Sequence, residues 1–183
     1  MNKECFIDVH CHLDLCENLD AIIGNARKKD VKIIVAHGVN KESNRKTLTL
    51  SEKYPEVKCA LGIYPIDALA LSDKKIEDEI EFIRKNKDKI NAVGEVGLDF
   101  KEDLQNWERQ KKIFKKFIEL AIELEKPIIV HSRKAEKECI EILEESGIKK
   151  VIMHCFSGKF SLVERIVKNK WYLSIPGNVK HSQ

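Results

Sequence analysis

The stretch Phe6-Ile-Asp-Val-His-Cys-His-Leu-Asp14 places two histidines two residues apart at the end of an apolar run. On a strand this spacing puts both imidazoles on one face, where they can chelate one metal ion. Asp8 shares their parity and is expected to point the same way. The chain then offers His37, His131 and His154, each closing a short apolar run, so that five of its six histidines stand at expected strand ends and only His181 does not. Glu95 sits in Val93-Gly-Glu-Val-Gly97. A carboxylate in so apolar a setting is costly unless it is paired or metal-bound, which favours a ligand role. His10, His12, Glu95, His131 and His154 together supply four nitrogens and a carboxylate. A carboxylate can bridge two ions, and the nitrogen-rich set suits Zn²⁺ and its first-row neighbours.

Neighbouring residues extend the set. Asp8 is a candidate acceptor for the ring N–H of a ligating histidine. Arg133, two residues after His131, is placed either to meet a phosphate bidentately or to form a salt bridge. Asp99, in Gly97-Leu-Asp-Phe100, either orients a water or ligand or caps the next segment. Phe156-Ser-Gly158 precedes an expected helix, so its N–H groups either hold an anion or simply cap. His37 reads as a hydrogen-bonded residue without a part in the site.

These side chains need strands that deliver them to one place. The sequence alternates short apolar runs with longer amphipathic ones. Strands are expected at Phe6–His12, Val31–Ala36, Val57–Ile63, Ala92–Val96, Pro127–Val130, Lys150–Met153 and Trp171–Ile175. Helices are expected between them at Asn18–Lys29, Lys41–Tyr54, Asp73–Lys89, Leu104–Glu125, Lys134–Ser146 and Lys159–Asn169. Such alternation means βαβ units and a parallel sheet, and leaves an open doubly wound sheet and a closed barrel both possible. In a barrel, the strand carboxyl ends that carry these histidines converge on one face.

Composition narrows the class. With 183 residues, 43% of them hydrophobic and 34% charged, the chain has the make-up of a single soluble domain. A net charge of +3 permits an anionic substrate without arguing for one. No run reaches membrane-spanning length, and no glycine-rich phosphate loop occurs. The six cysteines form no Cys-x-x-Cys pair. With no secretory apolar segment after Met1, they read as free thiols of a cytoplasmic protein.

Four motifs in order, the one opening at Phe6, then Gly94-Glu-Val-Gly-Leu-Asp99, Pro127-Ile-Ile-Val-His-Ser-Arg133 and Met153-His-Cys-Phe-Ser-Gly158, resemble those of the TatD-type metal-dependent deoxyribonucleases. These are amidohydrolase-like TIM-barrel enzymes. Gly62-Ile-Tyr-Pro65 resembles the family's third-strand turn, with Tyr64 where a histidine is usual. The resemblance implies a (β/α)8 barrel and a site for two divalent cations (Mg²⁺, Mn²⁺ or Zn²⁺). His10 and His12 would hold one ion, His131 and His154 the other, with Glu95 bridging. It implies hydrolysis of DNA phosphodiesters, typically as a 3′–5′ exonuclease, on single strands or 3′ ends. The alternatives are ester or amide hydrolysis at the same site, as in D-aminoacyl-tRNA deacylation, and an inactive metal-binding protein.

Two departures accompany the resemblance. Val9 stands where the family has a small residue. The family's later Thr-Asp motif, whose aspartate completes the first ion's ligands, has no counterpart, since no aspartate follows Asp103. A barrel of this class runs to about 250 residues. The expectation is one hydrolase domain over 1–183 with about seven of eight strands, lacking its last strand and helix.

Overall fold

The computed structural model describes residues 5–174 and Pro176. Seven strands form one sheet in sequential order: β1 (Phe6–Cys11), β2 (Val31–Gly38), β3 (Val57–Leu61), β4 (Ala92–Asp99), β5 (Ile128–Arg133), β6 (Val151–Met153) and β7 (Tyr172–Leu173). Every neighbouring pair is parallel. The helices between them are α1 (Leu19–Lys28), α2 (Lys41–Lys53), α3 (Pro65–Leu69), α4 (Asp73–Lys85), α5 (Trp107–Glu123), α6 (Glu136–Ser146) and α7 (Phe160–Lys168). In a flat sheet, β1 and β6 would stand roughly 24 Å apart, at about 4.8 Å per strand. Instead, the rings of His10 on β1 and His154 just beyond β6 stack at 4.0 Å between centroids. The sheet is therefore curled into an open barrel.

Alternation along the strands explains the two layers of core. On β3, Cys59 and Leu61 face the helices while Ala60 faces the other way. On β5, Ile128 and Val130 join the helix side and Ile129 the concave side. The outer layer is filled by Ile113, Phe114, Phe117 and Ile118 of α5 and by Ile76, Ile80 and Ile83 of α4. Their three- and four-residue spacing is the apolar stripe expected of helices packed on one side. The concave face is lined by the smaller Ala60 and Ala92 beside Ile129, which leaves room for inward polar groups at the strand ends.

Local signals set the helix limits. The Asn40 side chain accepts the N–H of Ser43 at the start of α2, and Ser72 accepts that of Lys75 at the start of α4. Gly147 closes α6 in the left-handed conformation at φ 72°. Two short elements were not expected from the sequence: a 3₁₀ turn at Leu13–Leu15 and α3, which starts on Pro65. β4 and β5 also run further than the apolar runs suggested, to Asp99 and Arg133. Both extensions carry polar residues that pair with each other across the ladder, Asp99 opposite Arg133. Ile175 and His181 lie outside the described residues.

Candidate metal centre

Glu95 is the centre of the site, and two local features of β4 place it. Gly94 and Gly97 adopt φ 151° and 146°, and a Cβ on Gly97 would fall 2.0 Å from the carbonyl oxygen of His131. Only glycine lets β4 lie this close to β5. Between Val93↔Ile128 and Val96↔Val130, three steps on β4 oppose two on β5, a one-residue bulge that holds Glu95. Bulges turn a side chain away from strict alternation. A matching bulge lies on β1, where Asp8↔Ile34 and Cys11↔Ala36 bracket His10. The simple parity expected for Asp8, His10 and His12 is therefore broken.

Four imidazoles converge on the buried carboxylate, two on each oxygen. His10 Nε2 and His12 Nε2 lie 3.3 Å and 3.5 Å from Oε2. His131 Nδ1 and His154 Nε2 lie 2.8 Å and 2.7 Å from Oε1, and 3.3 Å from each other. The far side of His131 is fixed as well, its Nε2 donating to Oδ2 of Asp99 at 2.8 Å. Asp99 also accepts the Tyr64 hydroxyl at 2.6 Å and the N–H groups of Lys101 and Glu102 at 3.0 Å each.

Asp8 departs from expectation. Its side chain is exposed and its Oδ1 accepts the main-chain N–H of His10, so it serves the bulged backbone and not a ring. Nδ1 of His10, which has no hydrogen-bond partner among the described residues, agrees with this. Arg133 bonds Glu102 at 2.9 Å, with both side chains half exposed, and also lines a cavity of about 620 Å³ with His131, His154, Phe156 and Ser157. His37 departs most. It lies within β2, fully buried, with its ring centroid 4.2 Å from that of His10. Tyr64, noted only as a departure from a family pattern, joins the site through Asp99.

Burial and mutual repulsion tune these groups in opposite directions. Burial, then the neighbouring His37 and His154, pulls the His10 pKa down to about 2. Burial also lowers His37, to about 4. His154 would be lowered by burial too, but the Cys155 thiol and the Glu95 carboxylate raise it to about 9. The Glu95 hydrogen bond raises His12. Burial pushes Glu95 up, yet hydrogen bonds from His12, His131 and His154 outweigh it and hold the carboxyl well below its ordinary range.

This donor set fits a divalent cation. Nδ1 of His131, Nε2 of His154 and Oε1 of Glu95 lie within 3.3 Å of one another. Without a metal, ring protons must bridge the nitrogens to the carboxylate, and a divalent cation can take the place of those protons. His10, Glu95 and His154 also offer ligand atoms all within 4.8 Å. Nitrogen and carboxylate donors of this kind suit Zn²⁺ or Mn²⁺.

A curled parallel β/α sheet that gathers histidines and a buried carboxylate at its strand carboxyl ends defines the class of barrel metallohydrolases. The chain belongs to the TatD-related DNase family, whose model matches residues 7–183. It is 38% identical over 173 residues to an uncharacterized metal-dependent hydrolase of Methanocaldococcus jannaschii, covering 93% of this chain and 67% of that protein. It is 33% identical over 190 residues to deoxyribonuclease TATDN3 of Homo sapiens, covering 96% of this chain and 69% of that one. The crystal structure of YJJV, a TatD homologue from Escherichia coli, superposes with a TM-score of 0.86 at 29% identity, over 92% of this chain and 66% of that one. The chain thus spans about two thirds of the length of these relatives.

Proposed function

We propose that this chain carries a metal-dependent phosphodiesterase centre acting on DNA, with two cations bridged by Glu95. The observation behind this reading is the division of four imidazoles, two and two, over the two oxygens of one buried carboxylate. His10 and His12 would hold one ion and His131 and His154 the other. When bound, such a pair lowers the pKa of coordinated water and offsets charge on the phosphoryl oxygens.

The chain's own residues then have separate tasks. Asp99 holds the His131 ring in one orientation, so that with an ion bound Nε2 keeps its proton and Nδ1 is free to serve as a ligand. Arg133 uses Nη1 on Glu102, and its remaining N–H groups can meet a phosphate oxygen in the cavity. The cavity wall from His154 to Gly158 shapes the approach to the centre. The name of the human relative supports DNA as the substrate. Action from 3′ ends of single strands is the finer part of the proposal.

The test is cleavage of end-labelled single-stranded DNA by the purified chain with Mg²⁺, Mn²⁺ or Zn²⁺, with Glu95→Gln as control and an aminoacyl-tRNA substrate in parallel. Metal-dependent release of nucleotides, lost in the variant, supports the reading. Deacylation of the tRNA with no DNA cleavage replaces it with an ester hydrolase using the same centre.

A further inference from the structure

The buried His37 has no task in the chemistry above, yet it touches three residues of the segment 9–12. Its Nε2 lies 3.1 Å from the carbonyl oxygen of Val9. A carbonyl only accepts, so Nε2 carries the proton and donates. Its own carbonyl oxygen lies 3.3 Å from His12 Nδ1, which leaves His12 Nε2 to face Glu95. Its ring packs on His10 at 4.2 Å and 42°.

The need for such a group follows from the strand. The one-residue bulge between Asp8 and Cys11 interrupts the ladder to β2 at Val9 and His10, and a bulge leaves a backbone group without its ladder partner. β1 is an edge strand of the described sheet, paired to β2 alone. Val9 must therefore find its partner on β2 or in solvent. The other ring nitrogen, Nδ1 of His37, is buried without a hydrogen-bond partner among the described residues. A leucine or phenylalanine would fill the same space without leaving that nitrogen unsatisfied. Packing alone does not account for histidine here, whereas the N–H donated to Val9 does.

We infer that His37 is a positioning residue that fixes the bulged end of β1, and so sets the spacing of His10 and His12 at the ion they would share. This rests on the metal-centre reading above. The side chain supplies the clamp on Val9 and the packing on His10, and its main chain orients His12. Substitution tests the first two and leaves the third in place.

The experiment is calorimetric titration of the chain with Zn²⁺, comparing His37→Phe and His37→Gln with the parent. Gln keeps an N–H donor near the position of Nε2, and Phe keeps the ring but no donor. Partners of this kind change metal affinity by roughly 10–100-fold. The expected result is a loss of that size in H37F at one of two binding steps, the other step unchanged, with affinity restored to within about threefold in H37Q. H37F binding both ions as tightly as the parent overturns the proposal. Failure of the parent to bind Zn²⁺ overturns the metal-centre reading itself. If H37F does not fold, ¹⁵N imidazole shifts of the metal-free parent decide. A protonated Nε2 with bare Nδ1 on His37 supports the clamp, and the opposite tautomer overturns it.

Discussion

Nε2 of His131 lies 2.8 Å from Oδ2 of Asp99, on the side of the ring away from Glu95. Asp99 is fully buried and accepts from four donors at once, so its position and charge are over-determined. In Asp99→Asn, the remaining oxygen stays with the N–H groups of Lys101 and Glu102, and the amide NH₂ meets the His131 N–H. Donor against donor drives the ring to the other tautomer, with a proton on the nitrogen that should face an ion. The expected outcome is a roughly 10–100-fold loss of affinity at the His131–His154 ion, read by Zn²⁺ calorimetry. Tyr64→Phe removes one donor and leaves Asp99 charged, and its effect is correspondingly smaller. Equal affinities in D99N and the parent would sink the orienting role.

Glu95→Gln removes the group shared by all four histidines. On the proposed two-ion centre, both binding steps weaken together, and DNA hydrolysis falls by more than roughly 100-fold, beyond the usual effect of an indirect partner. His154→Asn, by contrast, weakens one step and leaves the other. Simultaneous Zn²⁺ titrations of the two variants check this division. A Glu95→Gln protein that still binds two ions tightly would show that the carboxylate does not bridge.

Much of this site is legible in the sequence, because strand–helix alternation and histidines at strand ends are patterns of composition and period. Glu95 announced itself by being a charge between glycines. The bulges did not show, because one extra residue in a short strand leaves the apolar pattern almost unchanged, and with them went the role of Asp8. The hydrogen bond of His37 fits its reading as a bonded residue, but its contact with His10 carries no periodic signal in Val35-Ala-His-Gly38, because it depends on the packing of β1 beside β2. Tyr64 and Asp99 are 35 residues apart, and nothing local in either predicts their hydrogen bond.

The metal-free protein should be most stable near pH 6–7. His37 and His10, lowered to about 4 and about 2, bind protons in the unfolded chain near pH 6.5 but not in the fold. Stability is therefore lost as pH falls from 6.5 through about 4 and below, and the depressed Glu95 adds to this loss under its ordinary 4.5. His154, raised to about 9, acts with the opposite sign. Its contribution is complete below 6.5 and disappears as pH rises through about 9, and His12, also raised, acts in the same sense. Urea unfolding between pH 4 and 9.5 in the presence of a chelator measures both limbs. Glu95→Gln should flatten the alkaline one, because its carboxylate is among the causes that raise His154. An alkaline limb of equal slope in that variant would contradict the assignment.

Gly97 tests the geometry that brings Glu95 to His131 without touching a charged group. An alanine there places its Cβ 2.0 Å from the His131 carbonyl oxygen, a rigid backbone atom, at a φ of 146° that side chains rarely adopt. The strand pair must separate or the residue must twist, at a cost of about 3 kcal/mol or more. At roughly 2–4 °C per kcal/mol for a chain of this size, melting falls by about 6–12 °C. Gly147→Ala is the control. It too has a positive φ, at 72°, but its Cβ meets nothing within 4 Å, so only the left-handed backbone penalises it, by about 1–2 kcal/mol. Gly97→Ala should also weaken Zn²⁺ binding, because Glu95 and His131 move apart, while Gly147→Ala leaves it untouched. If both variants lose the same stability and neither loses affinity, the close approach of β4 to β5 is not what positions the carboxylate.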